Sequence, residues 1–276
     1  MQIRFQSSPA ETCRMTTQQL RDNFLVRDLM IPGKIALFYS HFDRMIIGGA
    51  VPTSAIIELP NEAELKATHF LERREMGIIN IGGKGTVSAE GAVYELEQLE
   101  CVYLGKGAKA VQFSSKIADD PARFYFLSVL AHHSYPNRKM TKVEAEPVSL
   151  GEALTSNKRT IYKYIHQEGI ESCQLVMGLT VLETGSVWNS VPPHTHTRRM
   201  EAYFYFDVPV GHRLIHFMGE PQETRHLVVS NQEAVISPPW SLHFGVGTAS
   251  YGFIWGMAGE NKEFTDMDPV PVTELE

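Results

Sequence analysis

His194-Thr195-His196-Thr197-Arg198-Arg199-Met200-Glu201 and, further along the chain, Pro238-Pro239-Trp240-Ser241-Leu242-His243 carry the strongest structural signal in this sequence. Side chains alternate between the two faces of a strand, so His194 and His196 project from the same side. Glu201 and His243 can complete a compact set of three imidazoles and one carboxylate. Zinc and other divalent first-row metals favour such ligands.

The spacing also predicts a local irregularity. The number of steps from His196 to Glu201 is odd, so a regular strand would point these two side chains to opposite faces. A bend or bulge within Thr197–Met200 is therefore needed if all four groups are to converge on one metal.

The order of these residues resembles the two-part motif of the cupin superfamily. Its second part usually reads Pro-x-Gly-x-x-His, and Pro238, Trp240 and His243 stand in those places, so tryptophan replaces glycine. The first part departs as well, because Gly185 precedes the histidines, and Gly211 follows Glu201, at greater distances than is usual. Ligand type and spacing still favour a metal site over structural histidines.

Composition excludes several classes of function. The 276 residues are 43% hydrophobic and 21% charged, with a formal net charge of -7. That charge argues against non-specific binding to nucleic acid or to an anionic membrane surface. The apolar runs are too short to span a bilayer, and no secretory signal is evident at the N-terminus. The three widely spaced cysteines indicate reduced thiols, so a cytoplasmic location is expected.

Short strand-like runs separated by glycine, proline and charged turns follow a short helix that Thr16 is expected to cap. This pattern predicts a mainly all-β fold of two antiparallel β-barrel or jelly-roll domains with a few short helices. The polar segment Ser134–Lys158 is interpreted as the connection between two halves. We therefore expect an N-terminal barrel over residues 1–140 and a C-terminal barrel over residues 141–276.

The two halves resemble each other. Glu72–Ile81 aligns with Thr197–Phe206, and Glu100–Ala110 aligns with Glu233–His243. In this register Ala110 stands in the place of His243, and no paired histidines precede the first segment. The repeat therefore predicts that the first barrel is structural and free of metal.

The whole chain resembles one family in particular, the 5-keto-4-deoxyuronate isomerases, also called 4-deoxy-L-threo-5-hexosulose-uronate ketol-isomerases. The matching segments run in family order from near the N-terminus to near the C-terminus: Leu20–Val26, Tyr39–Arg44, Phe70–Glu75, Leu104–Lys109, Leu154–Ile161, His194–Glu201, Gly219–His226 and Phe253–Met257.

This resemblance implies a bicupin enzyme of pectin breakdown with one zinc ion per chain, held by His194, His196, Glu201 and His243, and assembled as a hexamer. The implied reaction converts a deoxy-keto-uronate to 3-deoxy-D-glycero-2,5-hexodiulosonate by a ketol isomerisation. A divalent cation suits it, because it stabilises the negative oxygen of an enediolate.

Proton transfer also needs a general base within hydrogen-bond reach of the substrate. The candidates are Glu223 and His226. An equally good interpretation is that they form a buried hydrogen-bonded pair that only orients the metal ligands. Glu201 is a third candidate base, although its place in the motif favours ligation.

The substrate carboxylate calls for a cation, and Arg159 and Arg199 are the predicted contacts. The other cations that could make this contact are Lys158, Lys163, Arg198 and Arg225. Any one of these six cations is more often solvated or engaged in an intersubunit salt bridge than bound to substrate.

Two other functions remain open from the sequence. Histidine and carboxylate ligands also bind iron, so a cupin dioxygenase is one alternative. A non-catalytic sugar-binding or storage bicupin is the other, and the intact set of four ligands argues against it.

Overall fold

A computed structural model describes all 276 residues, and its two α-helices are short and close to the N-terminus. They are α1 (Pro9–Thr12) and α2 (Thr17–Phe24). The side chain of Thr16 accepts a hydrogen bond from the Gln19 N–H, which confirms the predicted threonine cap. Two 3-10 turns lie at Ala63–Leu65 and Val272–Glu274.

Strands make up most of the rest of the chain. The first twelve are β1 (Gln2–Arg4), β2 (Leu25–Val26), β3 (Ile35–Ser40), β4 (Ile46–Ala50), β5 (Ile57–Glu58), β6 (Arg74–Asn80), β7 (Gly85–Ala89), β8 (Ala92–Leu96), β9 (Cys101–Leu104), β10 (Gln112–Ser115), β11 (Phe124–Leu130) and β12 (Arg138–Met140). The other twelve are β13 (Val148–Leu150), β14 (Arg159–Ile165), β15 (Val176–Leu182), β16 (Trp188–Asn189), β17 (His194–Thr195), β18 (Arg199–Phe206), β19 (Leu214–Glu220), β20 (Glu223–Val229), β21 (Ala234–Ser237), β22 (Phe244–Gly247), β23 (Gly252–Gly259) and β24 (Asp268–Pro269).

Each half of the chain builds one large and one small sheet. In the first half the orders are β1-β3-β4-β11-β6-β9-β12 and β5-β10-β7-β8. In the second half they are β13-β14-β15-β23-β18-β21-β2 and β16-β22-β19-β20, while β17 pairs with β24 alone. Apart from β1 with β3, the strand pairs are antiparallel. The predicted fold class, mainly β with two antiparallel barrels and few helices, is confirmed.

The strands repeat in the register that the sequence alignment predicts. Met76 pairs with Leu104 in the first half, and Glu201 pairs with Ser237 at the aligned positions of the second. Position 110, aligned with His243, is an alanine on the surface. The absence of metal from the first half remains a prediction.

The two large sheets pack against each other through their outer faces. The rings of Tyr125 and Phe204 stack at 4.3 Å between centroids. Gly256 leaves room for Leu127, whose Cδ1 atom would lie 2.1 Å from a Cβ at that position. Because both faces of β6 and β18 are covered, all residues of these strands are buried.

The N-terminal segment crosses from one half to the other. Leu25–Val26 pairs with β21 at the edge of the second large sheet, although it lies within the range expected for the first barrel. The division into residues 1–140 and 141–276 therefore does not describe this segment, and for the remainder it stays a proposal.

Neither α-helix has the length or the apolar character that a membrane span requires. Cys13, Cys101 and Cys173 are free thiols, as expected from their spacing.

Candidate metal centre

The four predicted ligands converge inside the second barrel. One ligand atom from each of His194, His196, Glu201 and His243 lies within 4.8 Å of all the others. Oε2 of Glu201 is 3.0 Å from Nε2 of His196 and 2.9 Å from Nε2 of His243, whose Nε2 is 3.0 Å from that of His194. Tetrahedral ligands at about 2.0–2.1 Å from a metal are separated by about 3.3 Å. This donor set therefore fits a divalent first-row metal.

The local backbone explains how the side chains meet. After β17 the chain turns at Thr197–Arg198, where the Arg199 N–H donates to the His196 carbonyl at 3.0 Å. The turn falls within the predicted segment and corrects the odd spacing, so Glu201 faces the same interior as His196.

The turn that carries His243 is held by its one serine, Ser241. Ser241 Oγ accepts from the Gly219 N–H at 2.9 Å, and the Ser241 N–H donates to the Pro238 carbonyl at 3.0 Å. Trp240, which replaces the usual glycine, points its indole N–H at the Ser7 carbonyl, 3.3 Å away. The tryptophan thus contacts the N-terminal segment and leaves the ligand position of His243 unchanged.

Hydrogen bonds to the Nδ1 atoms leave the Nε2 atoms available for a metal. Nδ1 of His196 lies 2.9 Å from the Arg199 carbonyl, and Nδ1 of His243 lies 3.0 Å from Ser237 Oγ and 3.3 Å from the Ser241 carbonyl. A carbonyl can only accept, so it fixes the proton on Nδ1 and exposes the Nε2 lone pair.

The electrostatics of the group suit cation binding. Burial acts to raise the pKa of Glu201, but the imidazoles of His243 and His196 outweigh it and hold that pKa far below the ordinary carboxyl range. Burial, reinforced by the facing His243, lowers the pKa of His194 to about 3. Burial also acts against the charged form of His196, but the hydrogen bond to Glu201 outweighs it and raises the pKa of His196. An anionic carboxylate beside a neutral imidazole is what metal ligation requires.

A cavity of about 300 Å³ opens onto two of these ligands, His194 and Glu201. Its polar lining includes Arg159, Ser190 and Tyr203, and its apolar lining includes Trp255. Such a volume and mixed lining are typical of a small-molecule site.

The two predicted carboxylate contacts have different surroundings. Arg159 lines the cavity, donates to the Asn157 carbonyl at 2.8 Å and has no acidic partner within 4.0 Å. Burial lowers its pKa, as expected of a guanidinium without a counterion. Arg199 is fully buried and lies outside the cavity lining. Its Nη1 and Nη2 atoms donate to the Glu263 and Asp266 carbonyls. Arg199 is therefore unsuited to bind substrate.

Arg199 instead holds the segment 261–269, which we call the strap. Three strap residues, Phe264, Met267 and Pro269, line the cavity. Arg198 binds the strap from the same turn, with ion pairs of 2.7 Å to Asp266 and 2.8 Å to Asp268. The consecutive arginines of the motif thus close one wall of the cavity.

The predicted bases, Glu223 and His226, do not lie in the cavity. Both side chains are exposed on β20, a strand of the small sheet, and neither belongs to the cavity lining. The two residues are an odd number of positions apart on β20, so their side chains point to opposite faces of the sheet. The expectation that they lie inside the barrel beside the metal ligands is therefore wrong.

Two cavity residues were not singled out as site residues by the sequence. The Tyr203 hydroxyl lies 3.2 Å from Ser190 Oγ, and both groups face the cavity. Tyr203 follows Glu201 by two positions on β18. Strand alternation could therefore have predicted that its side chain points to the same face as that of Glu201. Ser190 carried no comparable signal in the sequence.

Comparison with known proteins gives one family and one fold. The model of the KduI/IolB family matches residues 29–270. A 4-deoxy-L-threo-5-hexosulose-uronate ketol-isomerase of Halalkalibacterium halodurans is 54% identical over 275 residues, covering 100% of both chains.

Two solved structures share the fold. An IolB-like protein from Salmonella typhimurium LT2 aligns with a TM-score of 0.68 and 14% identity, covering 87% of this chain and 94% of its own. Bacillus subtilis oxalate decarboxylase, a protein with Mn(II) centres, aligns with a TM-score of 0.55 and 11% identity. The alignment covers 80% of this chain and 70% of the decarboxylase chain. At these identities the likeness concerns the fold alone.

Proposed function

The chain belongs to the KduI/IolB family, and we propose that it is an isomerase interconverting 4-deoxy-L-threo-5-hexosulose uronate and 3-deoxy-D-glycero-2,5-hexodiulosonate. The observation that carries this proposal is the 54% identity, over the full length of both chains, to a ketol-isomerase of that substrate. The cavity beside three imidazoles and a carboxylate is the independent physical support.

In this proposal His194, His196, Glu201 and His243 hold one zinc ion per chain. Zinc suits the donor set and has no redox chemistry of its own. When bound, it supplies a Lewis acid that stabilises the negative charge developing on a substrate oxygen during the ketol isomerisation.

Arg159 binds the substrate carboxylate. It is a cation in the cavity lining without an acidic partner in the chain, and its guanidinium can offer a charge-assisted hydrogen bond to an oxygen anion. This contact fixes the end of the substrate that does not react, which orients the hydroxy-carbonyl end towards the imidazoles.

Tyr203 and Ser190 orient the substrate hydroxyls. The Tyr203 ring stacks on Phe253 at 5.4 Å, so its hydroxyl is held at a fixed place in the cavity. Burial raises the pKa of Tyr203 well above its ordinary value, which keeps the phenol a hydrogen-bond donor at neutral pH.

The apolar wall excludes water from the reacting atoms. Trp255 and the strap residue Phe264 lie 5.2 Å apart between ring centroids, and both line the cavity. A drier site strengthens each electrostatic contact made inside it.

The remaining expectations complete the proposal. The enzyme acts in the cytoplasm, in the breakdown of pectin-derived uronates, and assembles as a hexamer. It uses no redox cofactor, since the hydrogen that leaves one carbon of the substrate is returned to its neighbour.

The experiment is an isomerisation assay on the deoxyketouronate with metal-analysed protein in deuterated water. Conversion with solvent deuterium at the transferred position supports proton transfer, whereas conversion without label indicates a hydride shift within the same isomerase. Lack of conversion by fully metal-loaded protein would reject the proposed function. Oxygen uptake in the same assay would instead favour the cupin dioxygenase.

A further inference from the structure

A second pair of consecutive arginines lies in the first half of the chain. Arg73 and Arg74 align with Arg198 and Arg199 in the internal repeat, and Arg74 begins β6 as Arg199 begins β18. The backbone contacts also correspond. The Arg73 carbonyl accepts from the Ala131 N–H at 2.9 Å, and the Arg198 carbonyl accepts from the Glu260 N–H at 3.0 Å. The two pairs therefore occupy the same place in the two barrels.

The pair in the second half encloses a carboxylate. Asp266 of the strap lies 2.7 Å from Nη2 of Arg198 and 3.8 Å from Nε of Arg199. In the first half, Arg73 and Arg74 have no carboxylate oxygen within 4.0 Å. The chain thus supplies an acidic partner to one arginine pair and leaves its counterpart without one.

A cavity of about 350 Å³ lies beside the counterpart pair. Arg73 and Arg74 line it together with Tyr39 and His41. Glu64 also belongs to the lining, but it forms no ion pair with either arginine.

Arg74 is poised towards this cavity. Its side chain is only 4% exposed, and its Nε and Nη2 atoms donate to neutral acceptors, Ser128 and the Arg44 carbonyl. Its Nη1 atom has no acceptor in the chain. Burial lowers the pKa of Arg74 to about 10, and no carboxylate offsets that effect. Arg74 is surrounded only by neutral acceptors and by the Tyr39 ring, 5.9 Å from its guanidinium carbon. A buried cation without a counterion is costly, so an anion that reaches it is bound favourably.

We propose that this cavity binds the carboxylate of a small organic acid between Arg73 and Arg74. The free Nη1 atom of Arg74 can donate a charge-assisted hydrogen bond to the carboxylate. The Tyr39 hydroxyl has no partner in the chain and can donate to the body of the ligand, while Phe70 and Leu130 supply apolar contact. The cavity has room for an acid as large as a hexuronate.

Calorimetric titration of the intact chain with D-glucuronate tests this site. The titration is done in an Arg159→Gln background, so that the cavity of the second barrel contributes little. We expect saturable binding of one molecule per chain and no binding of D-glucose, which lacks the carboxylate. Arg73→Gln should weaken the binding at least about tenfold, since one charge-assisted hydrogen bond is lost. The surface variant Arg14→Gln should leave it unchanged.

Arg74→Lys and Tyr39→Phe provide further variants if Arg73→Gln does not fold. Both should weaken binding, the first because lysine keeps the charge but cannot replace all the guanidinium donors, Nη1 among them. Absence of saturable binding up to on the order of 10 mM, or equal binding in all these variants, overturns the proposal. Tight binding of inorganic phosphate without glucuronate overturns the ligand class. If Arg73→Gln forms a smaller assembly but binds glucuronate as before, the arginine pair contacts another copy of the chain. That result also overturns the proposal.

Discussion

Oε2 of Glu201 lies 2.9 Å from Nε2 of His243, although the two residues belong to separate segments of the second barrel. The same oxygen lies 3.0 Å from Nε2 of His196. One carboxylate oxygen therefore faces two imidazole nitrogens in a buried site. This is the spacing of groups that share a cation, and it makes the proposed metal centre testable.

Replacing His196 with alanine should remove most of the bound metal, because one of four ligands is lost and Glu201 loses one of its two imidazole partners. Metal content is measured by elemental analysis of purified protein. His226→Ala is the matched control, since that histidine is exposed on β20 and should leave one metal per chain. A full equivalent of metal retained in His196→Ala would contradict the ligand assignment, and a second metal bound within the first half would contradict its predicted metal-free state.

Metal affinity should rise with pH. Glu201 raises the pKa of His196 above its ordinary value near 6.5, so this ligand in the metal-free protein keeps its proton to a higher pH than a free imidazole does. That proton stabilises the metal-free fold below the unfolded pKa, and its contribution is lost as pH rises through the folded pKa. Below that pKa, affinity should fall about tenfold per pH unit for one displaced proton. Titrations with zinc between pH 5.5 and 8 check this, and a flat profile would refute it.

Arg159→Gln should lower kcat/KM by about 10- to 100-fold, since a charge-assisted hydrogen bond contributes about 1.5–3 kcal/mol. Metal content should not change, because Arg159 contacts none of the four ligands by hydrogen bond or ion pair. Lys158→Gln is the control, as this cation already pairs with Glu183 at 3.0 Å. Equal loss of activity in both variants would argue against a specific carboxylate contact.

Asp266→Asn should weaken the strap and raise KM by up to about fivefold, as expected for a partly exposed ion pair. The hydrogen bonds from Arg198 lower the pKa of Asp266 to about 2. A depressed carboxyl pKa contributes stability above the unfolded value and loses it as pH falls towards 2, so strap closure should not vary between pH 5 and 8. Initial rates at several substrate concentrations measure this, with Glu274→Gln as the control. A pH-dependent KM in that window that is abolished by Asp266→Asn would contradict the interpretation.

Glu75→Gln should lower the melting temperature. Glu75 is fully buried and accepts hydrogen bonds from the backbone N–H groups of Cys173, Gln174 and Leu175 at 2.7, 2.9 and 3.0 Å. An amide replaces one acceptor with a donor, which leaves a buried N–H unpaired at a cost of about 1–3 kcal/mol. Glu97→Gln, at an exposed ion pair with Lys84, should cost less than about 1 kcal/mol. Thermal unfolding compares the two, and equal melting temperatures would disprove the role of Glu75.

The fold class, the repeat and the four converging side chains could all be predicted from the sequence. These features are local or periodic. The odd step between His196 and Glu201 required a turn, and the structure has it at Thr197–Arg198. The alignment of the two halves placed Met76 and Glu201 at equivalent positions, and the strand pairs Met76 with Leu104 and Glu201 with Ser237 agree with it. A shift of one residue would have turned every side chain to the other face.

The identity of the other side chains that reach the cavity depended on long-range packing. Arg159 and Arg199 were equivalent cations in the sequence, but the strap covers Arg199 and leaves Arg159 facing the cavity. Glu223 and His226 were separated from the cavity by the orientation of β20 in the small sheet. Such outcomes depend on contacts between residues far apart in the chain, which local spacing cannot specify.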